Sequence, residues 1–137
     1  MALDPSNLPP AVVEFLTERH LATLTTLRAD GSPHVVPVAF TWDGHHRVAR
    51  VICSRSSVKA VNAARGDRAV LCQVDGRRWV SLEGEVSLSS DDAAVLEGVR
   101  RHALRYRVPG HNPERAVILL GVDRVLGSVR GGPADPV

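Results

Sequence analysis

The sequence predicts a mainly β domain of about six strands, mostly antiparallel, with two or three short helices between groups of strands. Three observations carry this. Asp-Gly pairs at Asp30-Gly31, Asp43-Gly44 and Asp75-Gly76 sit between apolar or β-branched runs, the pattern of tight hairpin turns. Residues 78–89 alternate, with Val80, Leu82, Val86 and Leu88 opposite Trp79, Ser81, Glu83, Glu85 and Ser87, so one strand face is apolar and the other polar. Finally, 137 residues that are 44% hydrophobic and 23% charged suffice for one core and one domain, 1–137, with residues 1–9 and 130–137 read as flexible tails.

Residues 1–10 are Pro-rich and read as irregular. Val12, Val13, Phe15 and Leu16 then recur at near-helical spacing after Pro10, which suits the first turn of a short helix. Residues 21–28 and 35–42 flank the first Asp-Gly turn and form a hairpin. Pro37 within the second run lacks a ladder donor and marks an edge, a bulge or a ligand position. Residues 47–54 follow the second Asp-Gly pair and make a three-stranded meander. Ser56 or Ser57 caps a helix running to about Arg65, with Val58, Val61 and Ala64 on one face and Gly66 as its stop. Residues 69–74 and 78–89 form the next hairpin, Ser89-Ser90-Asp91-Asp92 caps a helix to about Tyr106, and residues 116–129 close the sheet, bent at Gly121. A sheet of this size avoids exposed edges by closing into a barrel, with an open α+β sheet as the alternative.

The 17 basic and 15 acidic residues nearly balance, so there is no broad footprint for nucleic acid, and five aromatic residues are too few for a stacking platform. No membrane span or signal-peptide pattern is present, and a cytoplasmic location is expected. Cys53 and Cys72 lie in apolar runs and read as buried thiols. Of six histidines only His45-His46 are adjacent, in a turn and without a carboxylate or cysteine at ligand spacing, so no metal site is expected. Neither a G-x-S-x-G elbow, a P-loop nor a Rossmann glycine fingerprint occurs.

The chemistry-bearing stretch is Ser54-Arg55-Ser56-Ser57-Val58-Lys59-Ala60-Val61-Asn62. It places hydroxyls, an Arg and the sole Lys among 17 basic residues at a strand-to-helix junction, where free backbone N–H groups favour a phosphate. A compact ammonium fits beside a phosphate where a guanidinium fork does not. The competing reading is an ordinary capped helix with solvated cations. Arg78 and Trp79 form a second feature: a large aromatic on a polar strand face is an interface residue or the wall of a planar ligand.

Residues 20–36, Lys59-Ala-Val-Asn62 and residues 69–84 resemble the split β-barrel family of pyridoxamine-phosphate-oxidase-like proteins, over about Pro9 to Ser128. Within it the likeness is to the branch using the deazaflavin coenzyme F420, and to F420H2-dependent biliverdin reductases, through Arg105-Tyr-Arg107 and Arg124-Val-Leu-Gly-Ser128. The resemblance implies a six-stranded antiparallel split barrel and a homodimer with two cofactor sites at its interface. It also implies that Ser54, Ser57 and Lys59 hold the phosphate with Arg55 nearby, that Val36, Pro37, Val38 and Ile52 meet the ring, and that Arg78 and Trp79 face the site. The implied reaction is hydride transfer from reduced F420 to a conjugated acceptor, biliverdin giving bilirubin. No catalytic acid or base is assigned; solvent or His34 supplies a proton. An FMN-dependent enzyme of the same fold and a non-catalytic F420 or tetrapyrrole binder stand as alternatives.

Overall fold

A computed structural model describes residues 2–130. In chain order the elements are β1 (Ala2–Leu3), α1 (Pro10–Thr17), β2 (Ala22–Leu27), β3 (Pro33–Val38), β4 (Thr41–Asp43), β5 (Val48–Ser54), α2 (Val58–Ala64), β6 (Arg68–Asp75), β7 (Arg78–Ser89), α3 (Asp92–Arg105) and β8 (Arg115–Ser128). All strand pairs are antiparallel, in the order β3-β2-β6-β7-β8-β5-β4, with β1 added to β8. The mainly β class is as expected, but the described residues hold eight strands, not six.

The count differs for two reasons. Residues 2–3, read as irregular, pair with Leu126 and Val125 of β8. More consequentially, residues 35–42 do not form one strand. β3 pairs with β2 at one end of the sheet and β4 with β5 at the other, so the expected three-stranded meander is split. The break falls at Ala39-Phe40 and is held from far along the chain. Phe40 N–H donates to Tyr106 Oη at 3.3 Å, while Tyr106 Oη–H and Arg105 Nη1 donate to Phe40 O at 3.0 and 2.6 Å. Backbone polar groups leaving one ladder for another must be paired, and here the C-terminal end of α3 pairs them.

The turns follow their glycines where the backbone demands it: Gly31 (φ +86°) and Gly76 (φ +63°) occupy the left-handed region that side chains disfavour. Between β7 and β8 the register shifts at Glu83/Gly84, leaving Asp123 as the extra residue on β8. The expected bend at Gly121 thus appears as a bulge two residues on. Gly84 makes it possible, since a Cβ there would lie 1.8 Å from Gly121 O.

Apolar alternation puts Leu24, Leu71, Val80, Leu82, Ile118 and Leu120 inside, with Phe15 and Leu16 of α1 and Phe40 of the strand break, all under 2% exposed. Each such side chain contributes about 1.5–3 kcal/mol by leaving water. Helix α2 presents the opposite face from the one Val58 and Val61 suggest. Ala60, Ala63 and Asn62 are buried against the sheet, whereas Val58 and Val61 are about half exposed (52% and 49%). Small side chains permit close approach to the strands, and Asn62 Nδ2 fixes it by donating to buried Thr26 Oγ1 of β2 at 3.0 Å. Among the described residues no helix is long and apolar enough to cross a membrane. Residues 131–137, expected as tail, lie outside the described residues.

Candidate functional site

Strand β5 ends at Ser54, and three residues later Ser57 starts α2. Ser57 Oγ donates to Ser54 O at 2.7 Å and accepts from Ala60 N–H at 3.4 Å, capping the helix and tying it to its strand. Ser54 Oγ accepts from Asn112 Nδ2 at 2.9 Å, and Arg55 N–H donates to Glu114 O at 3.0 Å. The loop between α3 and β8 therefore braces the junction from outside. Neither Asn112 nor Glu114 carries a signal in sequence, because both act across about sixty residues of chain.

Lys59 is half-buried and has no hydrogen bond or ion pair among the described residues. It acts electrostatically on Cys53: burial pushes that thiol's pKa up, and Lys59 and Ser57 pull it back. Arg55 is exposed, and its side chain likewise has no partner among the described residues. It lines a cleft of about 380 Å³ with Asn112, His111, Arg115 and Asp92. Arg50, by contrast, is committed to Asp43 at 2.9 Å. An unpaired, partly desolvated ammonium beside a capped helix start, with an unpaired Arg four residues earlier, suits an anion with a charged extension.

The apolar residues expected at the ring separate by face. Val36 and Val38 on β3 point to the core side, and Pro37, exposed at the sheet's outer strand, points away. Pro37 at an edge agrees with its missing donor. Ile52 faces α3: a Cβ on Gly98 would lie 3.1 Å from Ile52 Cγ2, so the helix covers it. The junction and β3 are linked through Asn62, one turn after Lys59. It donates to Thr26, whose register partner is His34, two residues before Val36. His34 Nδ1 is buried there and unpartnered.

Arg78 and Trp79 do not reach Lys59 within one chain. Gly66, the stop of α2, lies against Val86 of β7, seven residues beyond Trp79 and so roughly 23 Å along the strand. Trp79 is on the other face of β7, beside Val74 and Ser128. Arg78 is 5% exposed, stacks 4.5 Å from the Phe15 ring centroid, and donates to Glu18 at 2.9 and 2.8 Å and to Asp75. The Arg78 guanidinium beside Glu18 holds that carboxyl down at about 2. Glu18, His20 and Asp75 place ligand atoms within 4.8 Å of one another, the one such metal-competent group among the described residues, but Arg78 already pairs with both carboxylates.

Fold and junction together define a split-barrel protein with an unpaired cation at a capped turn between strand and helix. Residues 8–128 match the family Pyridoxamine 5'-phosphate oxidase, and the chain belongs to that family. The chain is 55% identical, over 123 residues and 90% of each protein, to an F420H(2)-dependent biliverdin reductase of Mycobacterium tuberculosis (strain CDC 1551 / Oshkosh). Its fold is similar to a crystal structure of a conserved hypothetical protein from Mycobacterium tuberculosis (TM-score 0.76, 22% identity, 96% of this chain and 92% of that one). It is similar also to a structure described as an F420 reductase (TM-score 0.70, 22% identity, 87% and 98%).

Proposed function

We propose that this chain is an F420H2-dependent reductase whose acceptor is biliverdin, with bilirubin as product. The observation that carries the reading is 55% identity across 90% of both chains to a reductase of that description. The unpaired Lys59 at a capped strand-to-helix junction supports it from this chain's own residues. When bound, F420H2 supplies a hydride from C5 of its deazaflavin for the acceptor's central methine.

The residues divide the work of holding it. Lys59 and the Ser54–Ser57 turn hold the phosphate, and Arg55, with Arg115 and His111 along the 380 Å³ cleft, meets the glutamyl tail. The β3 backbone at Val36–Val38 edges the ring, with Pro37 on the exposed face and Val36 and Val38 supporting it from the core side, and Ile52 packs beneath α3. Arg78 acts at one remove, fixing Glu18 and Asp75 next to the β6–β7 turn that carries Trp79.

Trp79 joins the site from a second copy of the chain. The outer sheet face supports such a dimer: Pro37, Thr23, Cys72, Ser81 and Leu126 stand in one uncharged register row across five strands. Val35 and Val74 on the sheet, and Leu21 just before β2, are 56–61% exposed. An uncharged strand face bordered by exposed valine and leucine is of the kind a partner covers. Sedimentation should give a dimer, and Val35→Asp should give a monomer that no longer turns over.

The function is tested by titrating the protein with F420 and with FMN, then following F420H2 oxidation with biliverdin. Binding of F420 with acceptor-dependent oxidation is expected. Binding of FMN alone, or F420 binding without turnover of biliverdin, would overturn the reading.

A further inference from the structure

We propose that the Lys59 amine is a modification site for acyl phosphates and that its acylation shuts the protein off from its cofactor; this rests on the reading that Lys59 holds the phosphate of F420. Lys59 is the sole lysine of the chain, the other strongly basic side chains all being Arg. A guanidinium stays protonated in water and takes no acyl group, whereas an ammonium can give up its proton. At pH 8 an ordinary lysine amine is roughly 0.4% free base, enough for slow acyl transfer. The chain therefore offers one side-chain amine, and it stands at the turn assigned to a phosphate.

The surroundings of Lys59 leave it free to react. It is half-buried, and no hydrogen bond or ion pair holds it among the described residues. Arg50, Arg65 and Arg68, by contrast, are committed to Asp43, to Leu27 O and Asn62 Oδ1, and to Asp123. The outward side of α2 is open, with Val58 and Val61 both exposed. Competing nucleophiles at the junction are held back. Cys53 is 8% exposed, and burial pushes its thiol pKa up, so the thiol stays protonated and largely covered. Ser57 Oγ is engaged with Ser54 O and the Ala60 N–H.

An acyl phosphate carries both groups that this position suits: a phosphate, and one oxygen away an electrophilic carbonyl carbon. Once the ammonium has lost a proton to solvent, Arg55, exposed and without a partner among the described residues, is the remaining cation of the turn. Nζ attacks the carbonyl carbon, the C–N bond forms and the C–O bond to phosphate breaks. Phosphate leaves with the bonding electron pair, the second N–H proton goes to solvent, and nothing is oxidised or reduced. The product amide is uncharged, so the charge-assisted hydrogen bond to the cofactor phosphate is lost. Bound F420 shields the amine, which makes the unloaded protein the target.

The test uses the full chain, with acetyl phosphate as the probe and p-nitrophenyl acetate as an acetyl donor that carries no phosphate. Peptide mapping by mass spectrometry separates acetyl-Lys59 from the acetylated α-amino group, and Nα-acetyl-lysine in the same solution sets the intrinsic rate. Acetyl phosphate should acetylate Lys59 about tenfold or more faster than the free derivative. The nitrophenyl ester should show no such preference, and F420 or excess inorganic phosphate should slow the acetyl phosphate reaction. Acetylated protein should bind F420 roughly 10–150-fold more weakly, and protein treated with F420 present and then freed of it should keep its affinity. A Lys59 rate no higher than that of Nα-acetyl-lysine, the same preference with both donors, or unaltered F420 affinity after complete acetylation would overturn the proposal. Weakened F420 binding by Lys59→Met beside an unreactive Lys59 would remove this inference and leave the phosphate seat standing. Undiminished binding by Lys59→Met would remove the seat, and the proposal with it.

Discussion

Replacing Arg105 by Met probes the contact on which the strand arrangement depends. The guanidinium donates twice to Glu18 O (2.9 and 2.6 Å) and once each to Phe40 O (2.6 Å) and Gln73 Oε1 (2.7 Å). Met keeps much of the apolar packing against Phe40 and Tyr106 but donates nothing. Phe40 O retains Tyr106 Oη–H at 3.0 Å and Glu18 O retains His20 N–H at 3.0 Å, so Gln73 Oε1 is the acceptor left unpaired. The orphaned amide oxygen costs about 1–3 kcal/mol, and the bonds lost to the still-paired Glu18 O and Phe40 O add about 1–2 kcal/mol, a gross loss of about 2–5 kcal/mol. Removing a buried charge, whose own desolvation is unfavourable, offsets part of it, leaving about 1–3 kcal/mol net. For a domain of this size that lowers Tm by roughly 4–12 °C. Urea unfolding followed by tryptophan fluorescence and circular dichroism together gives the value. Tyr106→Phe should cost about 1–2 kcal/mol, and because both residues serve Phe40 O the double variant should not be additive. An Arg105→Met midpoint within about 0.5 kcal/mol of the parent, the range of ordinary surface substitutions, would refute the reasoning.

Two further predictions concern the frame. Glu18 has its folded pKa lowered from 4.5 to about 2, first by the hydrogen bond from Arg78, so its stabilising contribution is present above the unfolded value and is lost as pH falls from about 4.5 to 2. Urea midpoints across that window should fall less steeply in Glu18→Gln than in the parent; equal slopes would remove Glu18 as a source of acid lability. At the β7–β8 bulge, Gly84→Ala places a Cβ 1.8 Å from Gly121 O and should cost about 3 kcal/mol or more or prevent folding. Gly121→Ala, whose Cβ meets nothing nearer than 3.8 Å, should be tolerated; similar losses in both would contradict the register.

The same contacts explain what was readable from the sequence. The Asp30-Gly31 and Asp75-Gly76 turns, the alternation of β7 and the Asp91 cap of α3 are local signals, fixed by a few adjacent residues. The division of residues 35–42 into β3 and β4 was not readable, because the break falls after Pro37 in a run with no turn residues and the groups that hold it sit 65 and 66 residues away on Arg105 and Tyr106. At the site, the Ser54–Lys59 junction was legible as a cap followed by the sole lysine. Its brace by Asn112 was not. Nor was the burial of Arg78, since its partner Glu18 is 60 residues distant. Val58 and Val61 misled for a physical reason: α2 packs through Ala60 and Ala63 at close range, and the larger valines remain outside.

The central claim is that Lys59 seats the phosphate of F420, and its most direct measurement is the F420 affinity of the parent, Lys59→Met and a remote surface control, Arg19→Met. A charge-assisted hydrogen bond is worth about 1.5–3 kcal/mol, so Lys59→Met should bind roughly 10–150-fold more weakly while the control matches the parent. Equal affinities for all three proteins would contradict the assignment.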